Sequence, residues 1–267
     1  MAQHSTMAIF RIATINVHGF INPWTGLSNA QPLASILAPL ELDLIALEEA
    51  TNDTDSRIFQ DHLSLPHSVF GASYTSTHGN AIFSRHPIAY SKNTISNHRC
   101  HGGTRAMLHI SLGGNHPFVQ NRRFAVTHLD HINEDDRIVQ MTSFAPHRKN
   151  INILMGDMNA VTHEDYSDNY YQQIVFSKRK QARWELPRFD LTRLITTSFA
   201  FQDAFRQANP ELKDEQVATC PYGTRIDYIF WRPLINDEWV LKDCSLVDTK
   251  QTTDHQAVMA IFEHQQK

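Results

Sequence analysis

The chain has 267 residues and a mass of 30.6 kDa, of which 41% are hydrophobic and 19% are charged, enough to bury a large core. We therefore predict a single domain over residues 1–267 and exclude a disordered chain. The formal net charge of -4 excludes a purely electrostatic nucleic-acid binder, and no apolar stretch is long enough to span a bilayer.

The first half of the chain alternates predicted strands and helices. Residues 10–17 are apolar on both faces, as in a central strand of a sheet that is covered on both sides. Apolar residues recur at helical spacing over 33–40, and a short buried strand follows at 42–47. The apolar positions among residues 58–63 indicate a second helix.

The second half is richer in strands. A helix is predicted over 138–145 and another over 191–199, whereas residues 162–188 are polar, aromatic and basic without a clear period, as in a functional surface loop. The remaining segments are predicted strands: 80–83, 105–112, 122–127, 151–155, 226–231 and 257–262. This mixture of strands and helices predicts a sandwich of two sheets with helices outside.

The cysteines and the N-terminal segment bear on the compartment. Cys100, Cys220 and Cys244 are odd in number and far apart, which predicts neither a disulfide framework nor a clustered zinc site. Residues 1–7 lack the pattern of a signal peptide, so we expect a cytoplasmic protein, although a mature secreted chain would look the same.

Polar side chains lie at or near an end of six predicted strands. If these ends meet at one edge of the sandwich, they bring carboxylates, imidazoles and amides into a single cleft. Oxygen donors of this kind suit a hard divalent cation such as Mg²⁺ better than a structural zinc ion. The segments are Asn16 to Gly19, Glu48-Glu49, Thr127 to His131, Gly156-Asp157-Met158-Asn159, Arg225 to Tyr228 and Thr252 to His255.

The order of these segments resembles a known family. Asn16, Glu49, His128, the Gly-Asp-Met-Asn motif at 156–159, Asp227 and the Asp-His pair at 254–255 follow the pattern of the endonuclease/exonuclease/phosphatase superfamily. That superfamily includes DNase I-like nucleases, neutral sphingomyelinases, inositol-polyphosphate phosphatases and tyrosyl-DNA phosphodiesterases. The resemblance runs over residues 12–261. It implies a metal-dependent phosphoric ester hydrolase with a DNase I-like fold: an α/β four-layer sandwich of two packed mixed sheets flanked by helices.

The resemblance also implies a metal site. Glu49 would be the main ligand, with Asn16 and Asp254 close to the metal or its waters, and Mg²⁺ would be the cofactor, with Mn²⁺ as the alternative. Glu48 departs from the pattern because relatives usually carry glutamine there. It would either add to the affinity for the metal or face solvent.

The same resemblance assigns catalytic roles. His255 would be the general base or a partner of the transition state, oriented by Asp227. Asp157 and Asn159 would hold the attacking water and the scissile phosphate, and His128 would donate to a phosphoryl oxygen. These roles leave open whether Asp157 or His255 takes the proton from water.

Two further residues are candidate substrate ligands. Arg105, at the start of a strand, would contact a substrate phosphate or form a structural salt bridge. Asn80 would orient a group of the active site or form a turn. The basic and aromatic residues of 178–184 would either grip a phosphate backbone or headgroup, or form a solvated charge run.

Three functions remain open. The favoured one is a Mg²⁺-dependent phosphodiesterase acting on nucleic acid as an endonuclease or exonuclease, because residues 178–188 are basic and aromatic; a tyrosyl-DNA phosphodiesterase is a variant of it. The second is a sphingomyelinase-like or inositol-phosphate phosphohydrolase, for which residues 20–24 are the one candidate apolar hairpin. A binding module is disfavoured because no metal or base residue is missing. We expect a monomer without protein partners or stable membrane insertion.

Overall fold

Two six-stranded sheets form the centre of the molecule. The computed structural model describes residues 8–73, 75–98 and 100–265; residues 1–7, examined above for a signal peptide, lie outside this part. The strands are β1 (Ile9–Asn16), β2 (Leu44–Thr51), β3 (His67–Ala72), β4 (His78–Ser84), β5 (Ile88–Ile95), β6 (Ala106–Leu112), β7 (Arg123–Thr127), β8 (Ile153–Asp157), β9 (Gln202–Asp203), β10 (Asp227–Trp231), β11 (Trp239–Val247) and β12 (Ala257–His264).

Both sheets are mixed. The first has the order β11-β12-β1-β2-β4-β3, and β1 and β2 are its parallel pair. The second has the order β5-β6-β7-β8-β10-β9, and β7 and β8 are its parallel pair. The other neighbouring strands are antiparallel.

Helices flank the two sheets. They are α1 (Ala30–Leu37), α2 (Thr54–His62), α3 (Glu134–Phe144), α4 (Asp168–Tyr170), α5 (Ser177–Gln181), α6 (Asp190–Arg193) and α7 (Ala204–Ala208), with π-helical turns at Tyr171–Phe176 and Leu194–Ser198. The helix α3 begins after Asn133, whose side chain accepts a hydrogen bond from the Asp136 amide and so caps the helix. In the described part of the chain, no helix is both long and apolar enough to cross a membrane.

The core has three parts, which correspond to the contacts between four layers. Phe10 and Ile12 of β1 pack against Phe124 and Val126 of β7 in the space between the sheets. Residues of the opposite strand faces pack outward, on α1 and α2 for the first sheet and on α3 and α6 for the second. The predicted four-layer sandwich of two packed mixed sheets flanked by helices is confirmed.

The alternation of side chains along the strands positions the site. In β1, Phe10 and Ile12 face the other sheet, so Thr14 and Asn16 face it too, beyond the apolar core. By the same period of two, Asp157 continues the inward row of β8 and Glu48 that of β2. The polar groups therefore collect at one end of the space between the sheets.

Residues 162–188 differ from the prediction. Residues 168–181 form a continuous helical run from α4 through the π-helical turn to α5, whereas residues 182–188 are irregular. Tyr170 and Val175 are buried on its inner side. The helical period is hard to see in the sequence because a π-helical turn shifts the apolar stripe by one residue.

Candidate active site

A bulge in β2 separates two adjacent carboxylates. The register of β2 against β4 shifts between Leu47 and Ala50. Glu49 adopts a left-handed conformation with φ of +53°, which costs about 1–3 kcal/mol for a residue other than glycine. Glu48 is fully buried and its Oε1 accepts a 2.6 Å hydrogen bond from Thr14, whereas the Glu49 side chain is 31% exposed. The bulge thus presents Glu49 to the cleft.

Asn16 links the carboxylates of the two sheets. Its Nδ2 donates to Glu49 Oε1 at 3.1 Å and to Asp157 Oδ2 at 3.3 Å. Its Oδ1 accepts from the His18 amide at 3.0 Å, which sets the orientation of the side-chain amide. The same side chain therefore holds one predicted metal ligand and one predicted catalytic residue.

His18 lies beside the predicted metal ligands, although no individual role was predicted for it from the sequence. Its Nδ1 lies 3.8 Å from Glu49 Oε2 and 3.6 Å from Asp254 Oδ1. The ring reaches this position because His18 has a left-handed φ of +51° just after β1. A left-handed turn at the residue before Gly19 leaves no clear signal in one sequence.

The glycine of the Gly-Asp-Met-Asn motif is required by close packing. Gly156 has a φ of +130°, and a Cβ atom there would lie 2.0 Å from the carbonyl oxygen of Thr127. This approach places Asp157 next to the end of β7. Asp157 is almost fully buried, and its Oδ1 accepts from the Asn159 amide at 2.9 Å.

Asp227 and His255 form a buried pair. Asp227 lies opposite Asp157 in the antiparallel pairing of β10 with β8. Its Oδ2 is 2.9 Å from His255 Nδ1, and the other ring nitrogen of His255 lies 4.0 Å from Asp157 Oδ2. Ligand atoms of these three residues lie within 4.8 Å of one another. Asp227 therefore fixes the imidazole so that Nε2 faces Asp157.

His128 and Asn159 contact each other in the site. Asn159 Nδ2 is 3.0 Å from His128 Nε2 and also donates to the carbonyl of Leu129 at 3.2 Å. Because an amide nitrogen only donates, the neutral ring of His128 carries its proton on Nδ1. That atom lies 3.8 Å from Glu49 Oε1, across the cleft.

Burial and neighbouring charges shift the pKa values of these groups. Burial raises the pKa of Asp157, and the nearby Asp227 carboxylate raises it further. Burial, reinforced by Arg105 and His255, lowers the pKa of His128 well below its usual range, so this ring is neutral. Burial alone would lower the pKa of His255, but the Asp227 carboxylate outweighs it and holds the pKa well above its usual range. The Asp227 carboxylate thus favours the cationic form of His255.

The two candidate substrate ligands have different surroundings. Asn80 is buried and donates from Nδ2 to the carbonyl oxygen of Ala106 at 2.9 Å, which joins the two sheets. Thr127, next to His128, donates to the same oxygen. Arg105 is also buried, and its Nη2 lies 3.0 Å from His131 Nδ1. A contact of either residue with substrate stays a prediction.

The donors of this site fit a divalent cation. Glu49 and Asp254 expose carboxylate oxygens on the same side of the cleft, both near His18, and Asn16 adds an amide oxygen with a free lone pair. One oxygen of buried Asp227 has no hydrogen-bond partner among the described residues. Such an excess of carboxylates is stabilised by a bound cation.

A basic and aromatic cleft of 410 Å³ adjoins the site at Asn159. The rings of Trp184 and Tyr222 meet edge to face at 4.6 Å, and both side chains are about half exposed. Burial, together with Arg137 nearby, lowers the pKa of Arg179. The lining residues are His131, Ile132, Asn159, Val175, Lys178, Arg179, Arg183, Trp184, Glu185, Cys220, Tyr222, Thr224 and Ile226.

Positively charged side chains outnumber negatively charged ones in the lining of this cleft. Its one acidic residue, Glu185, is already bound by Arg137 and by the amide of Glu134. Among the described residues, Lys178 donates only to the carbonyl of Tyr222, and the Arg179 side chain forms no hydrogen bond. An anionic group would therefore find unpaired donors there.

Comparisons with known proteins agree with this fold. A structure of an endonuclease/exonuclease/phosphatase from Beutenbergia cavernae matches with a TM-score of 0.71 and 18% identity, over 96% of this chain and 72% of that one. The catalytic domain of human nocturnin with bound sulfate matches with a TM-score of 0.67 and 14% identity, over 97% of each chain. TDP2 of D. rerio, complexed with a single-strand DNA product, matches with a TM-score of 0.63 and 17% identity, over 96% and 99%.

Sequence comparison places the chain within a family. No curated protein matches it significantly. The model of the endonuclease/exonuclease/phosphatase family, however, matches residues 13–255, which include every strand-end segment described above. The chain therefore belongs to the endonuclease/exonuclease/phosphatase family of phosphoester hydrolases.

Proposed function

We propose that this chain is a Mg²⁺-dependent phosphodiesterase that cleaves nucleic acid, with an unpaired strand held in the basic cleft. The observation that carries this proposal is the position of Lys178, Arg179 and Trp184 in a cleft that begins at Asn159. Cations that track a phosphate backbone beside exposed aromatic rings are typical of sites for single-stranded nucleic acid. The single-strand DNA product held by the D. rerio neighbour supports this choice of substrate.

Glu49, Asp254 and Asn16 would hold the cation, with Mn²⁺ as an alternative to Mg²⁺. When bound, the cation would neutralise negative charge on the phosphoryl oxygens and on the leaving oxygen. The partly exposed carboxylates of Glu49 and Asp254, at the open side of the site, suit this task.

The buried residues carry the proton transfer. A water oxygen attacks phosphorus while its proton passes to Asp157, and the opposite P–O ester bond breaks, so that the leaving oxygen takes a proton from solvent. Asp157 is the acceptor rather than His255, because the Asp227 carboxylate keeps His255 protonated. The cationic His255 and the Nδ1–H of His128 stabilise the charge on the phosphoryl oxygens.

The first test compares substrates and metal dependence. We expect hydrolysis of a single-stranded oligonucleotide and of bis(p-nitrophenyl) phosphate that requires Mg²⁺ and stops on addition of EDTA. His255→Ala should lower kcat by about 10²–10⁴-fold, because both the cationic donor and the partner of Asp227 are lost. Arg57→Ala, on the exposed side of α2, is the matched control.

The substrate panel also includes plasmid, p-nitrophenyl phosphate and sphingomyelin vesicles. Turnover of vesicles or monoesters with oligonucleotide and plasmid untouched would overturn the nucleic-acid assignment. A loss in His255→Ala that is confined to KM would contradict the role of that residue. Absence of turnover with every substrate would instead favour a binding module.

One observation favours a phospholipid substrate as the second candidate. Ile21, Trp24 and Leu27 are exposed in the segment after β1, where a hydrogen bond from Asn22 to the carbonyl of Gln251 holds them beside the loop that carries Asp254. Three exposed apolar side chains at the mouth of a phosphodiesterase suit the surface of a lipid layer. This patch is small, which is why nucleic acid remains the first proposal.

A further inference from the structure

A second cluster of metal-binding side chains lies outside the phosphoesterase site. His98, Cys100 and His101 come from the loop between β5 and β6, and Asp136 comes from the first turn of α3. His98 Nε2 lies 2.5 Å from Asp136 Oδ1, and His101 Nδ1 lies 3.0 Å from Asp136 Oδ2. Ligand atoms of His98, Cys100 and Asp136 all lie within 4.8 Å of one another.

The donors of this cluster differ from those of the active site. One thiol, two imidazoles and one carboxylate are the mixture that Zn²⁺ binds with tetrahedral geometry. Asp136 is buried, so its carboxylate faces the loop rather than bulk solvent. Two ligands at 2.0–2.1 Å from a tetrahedral ion lie about 3.3 Å apart, so the hydrogen bond between His98 and Asp136 would lengthen by about 0.8 Å.

Gln140 donates a hydrogen bond to the sulfur of Cys100, beside the donation of that sulfur to the His98 carbonyl at 3.4 Å. This fully buried side chain accepts from the Asp130 amide through Oε1 at 2.9 Å, which turns its Nε2 toward Cys100 Sγ, 2.6 Å away. An amide nitrogen only donates, and a thiol is a weak acceptor. A metal-bound thiolate accepts such a bond well, and hydrogen bonds of this kind orient the ligands of metal sites.

We propose that Cys100, His98, His101 and Asp136 form a zinc site that fastens the loop between β5 and β6 onto α3. The prediction from the cysteines of the sequence was no clustered zinc site. A clustered zinc site of that kind needs several cysteines, whereas the proposed site uses one cysteine with two histidines and an aspartate distant in the chain.

The site would act on the cleft through the loop that it holds. Gly102, two residues after Cys100, donates to Asp130 Oδ2 at 2.6 Å. Arg105, at the end of the loop, contacts His131, which lines the basic cleft. Zinc would thus position Arg105 without touching the substrate.

Cobalt is the probe for this proposal. The full chain, stripped of metal with a chelator and returned to excess Mg²⁺, is titrated with Co²⁺. We expect a thiolate-to-cobalt charge-transfer absorption that saturates at one ion per chain and is removed by Zn²⁺. Cys100→Ser should abolish this absorption, and Cys220→Ser, which removes a buried cysteine elsewhere, should retain it.

Two further measurements keep the test independent of variant folding and of the active site. In the native wild type, Cys100 is the one cysteine that is not buried, so its reaction with a thiol reagent should slow at least 10-fold when Zn²⁺ is added. Glu49→Gln should keep the cobalt absorption. The proposal is overturned if the wild type shows no thiolate band, if Cys100→Ser keeps it, or if Zn²⁺ leaves the thiol equally reactive.

Discussion

Glu48 and Glu49 are neighbours in sequence, yet the backbone gives them opposite environments. Burial raises the pKa of Glu48 well above its usual range, against the effect of its hydrogen bond from Thr14. Its Oε2 has no hydrogen-bond partner among the described residues. Glu49 is turned into the cleft by its left-handed conformation. The bulge therefore makes one carboxylate part of the core and turns the other toward the cleft.

This contrast predicts different outcomes for the same substitution. Glu49→Gln should raise the Mg²⁺ concentration for half-maximal activity by about 10–100-fold, because a charged ligand is lost. Glu48→Gln keeps the acceptor for Thr14 and changes no charge, so it should leave the Mg²⁺ requirement unchanged. Magnesium titrations of oligonucleotide hydrolysis measure both, with circular dichroism to check folding. An equal loss in the two variants would refute the distinction.

At the scale of residues, the sequence predicts the part of the site that follows strand alternation. Asn16, Asp157 and Asp227 lie on the inner faces of strands whose apolar residues are easy to recognise. His18 was missed because its place depends on a left-handed turn, and Tyr222 because it reaches the cleft from a distant loop. Neither depends on a period in the sequence.

At the scale of elements, the strands without a sequence signal are the edges of the sheets. They are β3, β5, β9 and β11, which end the two strand orders. An edge strand is covered on fewer sides, and β5 has the burial pattern of a mostly exposed segment. The central strands were predicted because both of their faces are apolar. The sequence thus predicts the inner strands of each sheet but not its edge strands.

The segment after α5 places Trp184 in the cleft that we propose for the substrate. Trp184→Ala should raise KM for a single-stranded oligonucleotide by an amount equivalent to about 1–3 kcal/mol, because one base loses its stacking surface. Trp24→Ala, a matched exposed tryptophan on the apolar patch, should leave KM for that substrate unchanged. Steady-state kinetics on oligonucleotide and on sphingomyelin vesicles separate the two. If only Trp24→Ala acts, and only on vesicles, the lipid function is the correct one.

At the scale of the whole molecule, we expect a buried histidine of β6 to make stability depend on pH. Burial, with Lys149 and Arg123 nearby, lowers the pKa of His109 to about 4, and its Nδ1 has no hydrogen-bond partner among the described residues. The unfolded chain has a pKa near 6.5 there, so between these values it binds more protons than the folded chain. This contribution to stability is therefore present above pH 6.5 and is lost as the pH falls toward 4.

His109→Phe should remove that acid sensitivity. Phenylalanine cannot be protonated in the unfolded state. The free energy of unfolding of the variant, relative to that of the wild type, should therefore rise by about 1–2 kcal/mol when the pH falls from 8 to 4.5. This amount is reduced for solvent screening of the neighbouring cations. Urea unfolding at both values measures this change, and the difference at pH 8 gives the packing effect alone. A constant difference across the range would contradict the role of His109.

The pairing of β12 with β1 has a consequence for synthesis. In the first sheet, the first strand of the described chain pairs with the last one, and His255 lies just ahead of β12. A ribosome-bound chain that has not yet released this segment lacks both the partner of Asp227 and the strand that flanks Asn16. The candidate site of a chain with this topology is therefore incomplete until the segment that carries His255 has been synthesised.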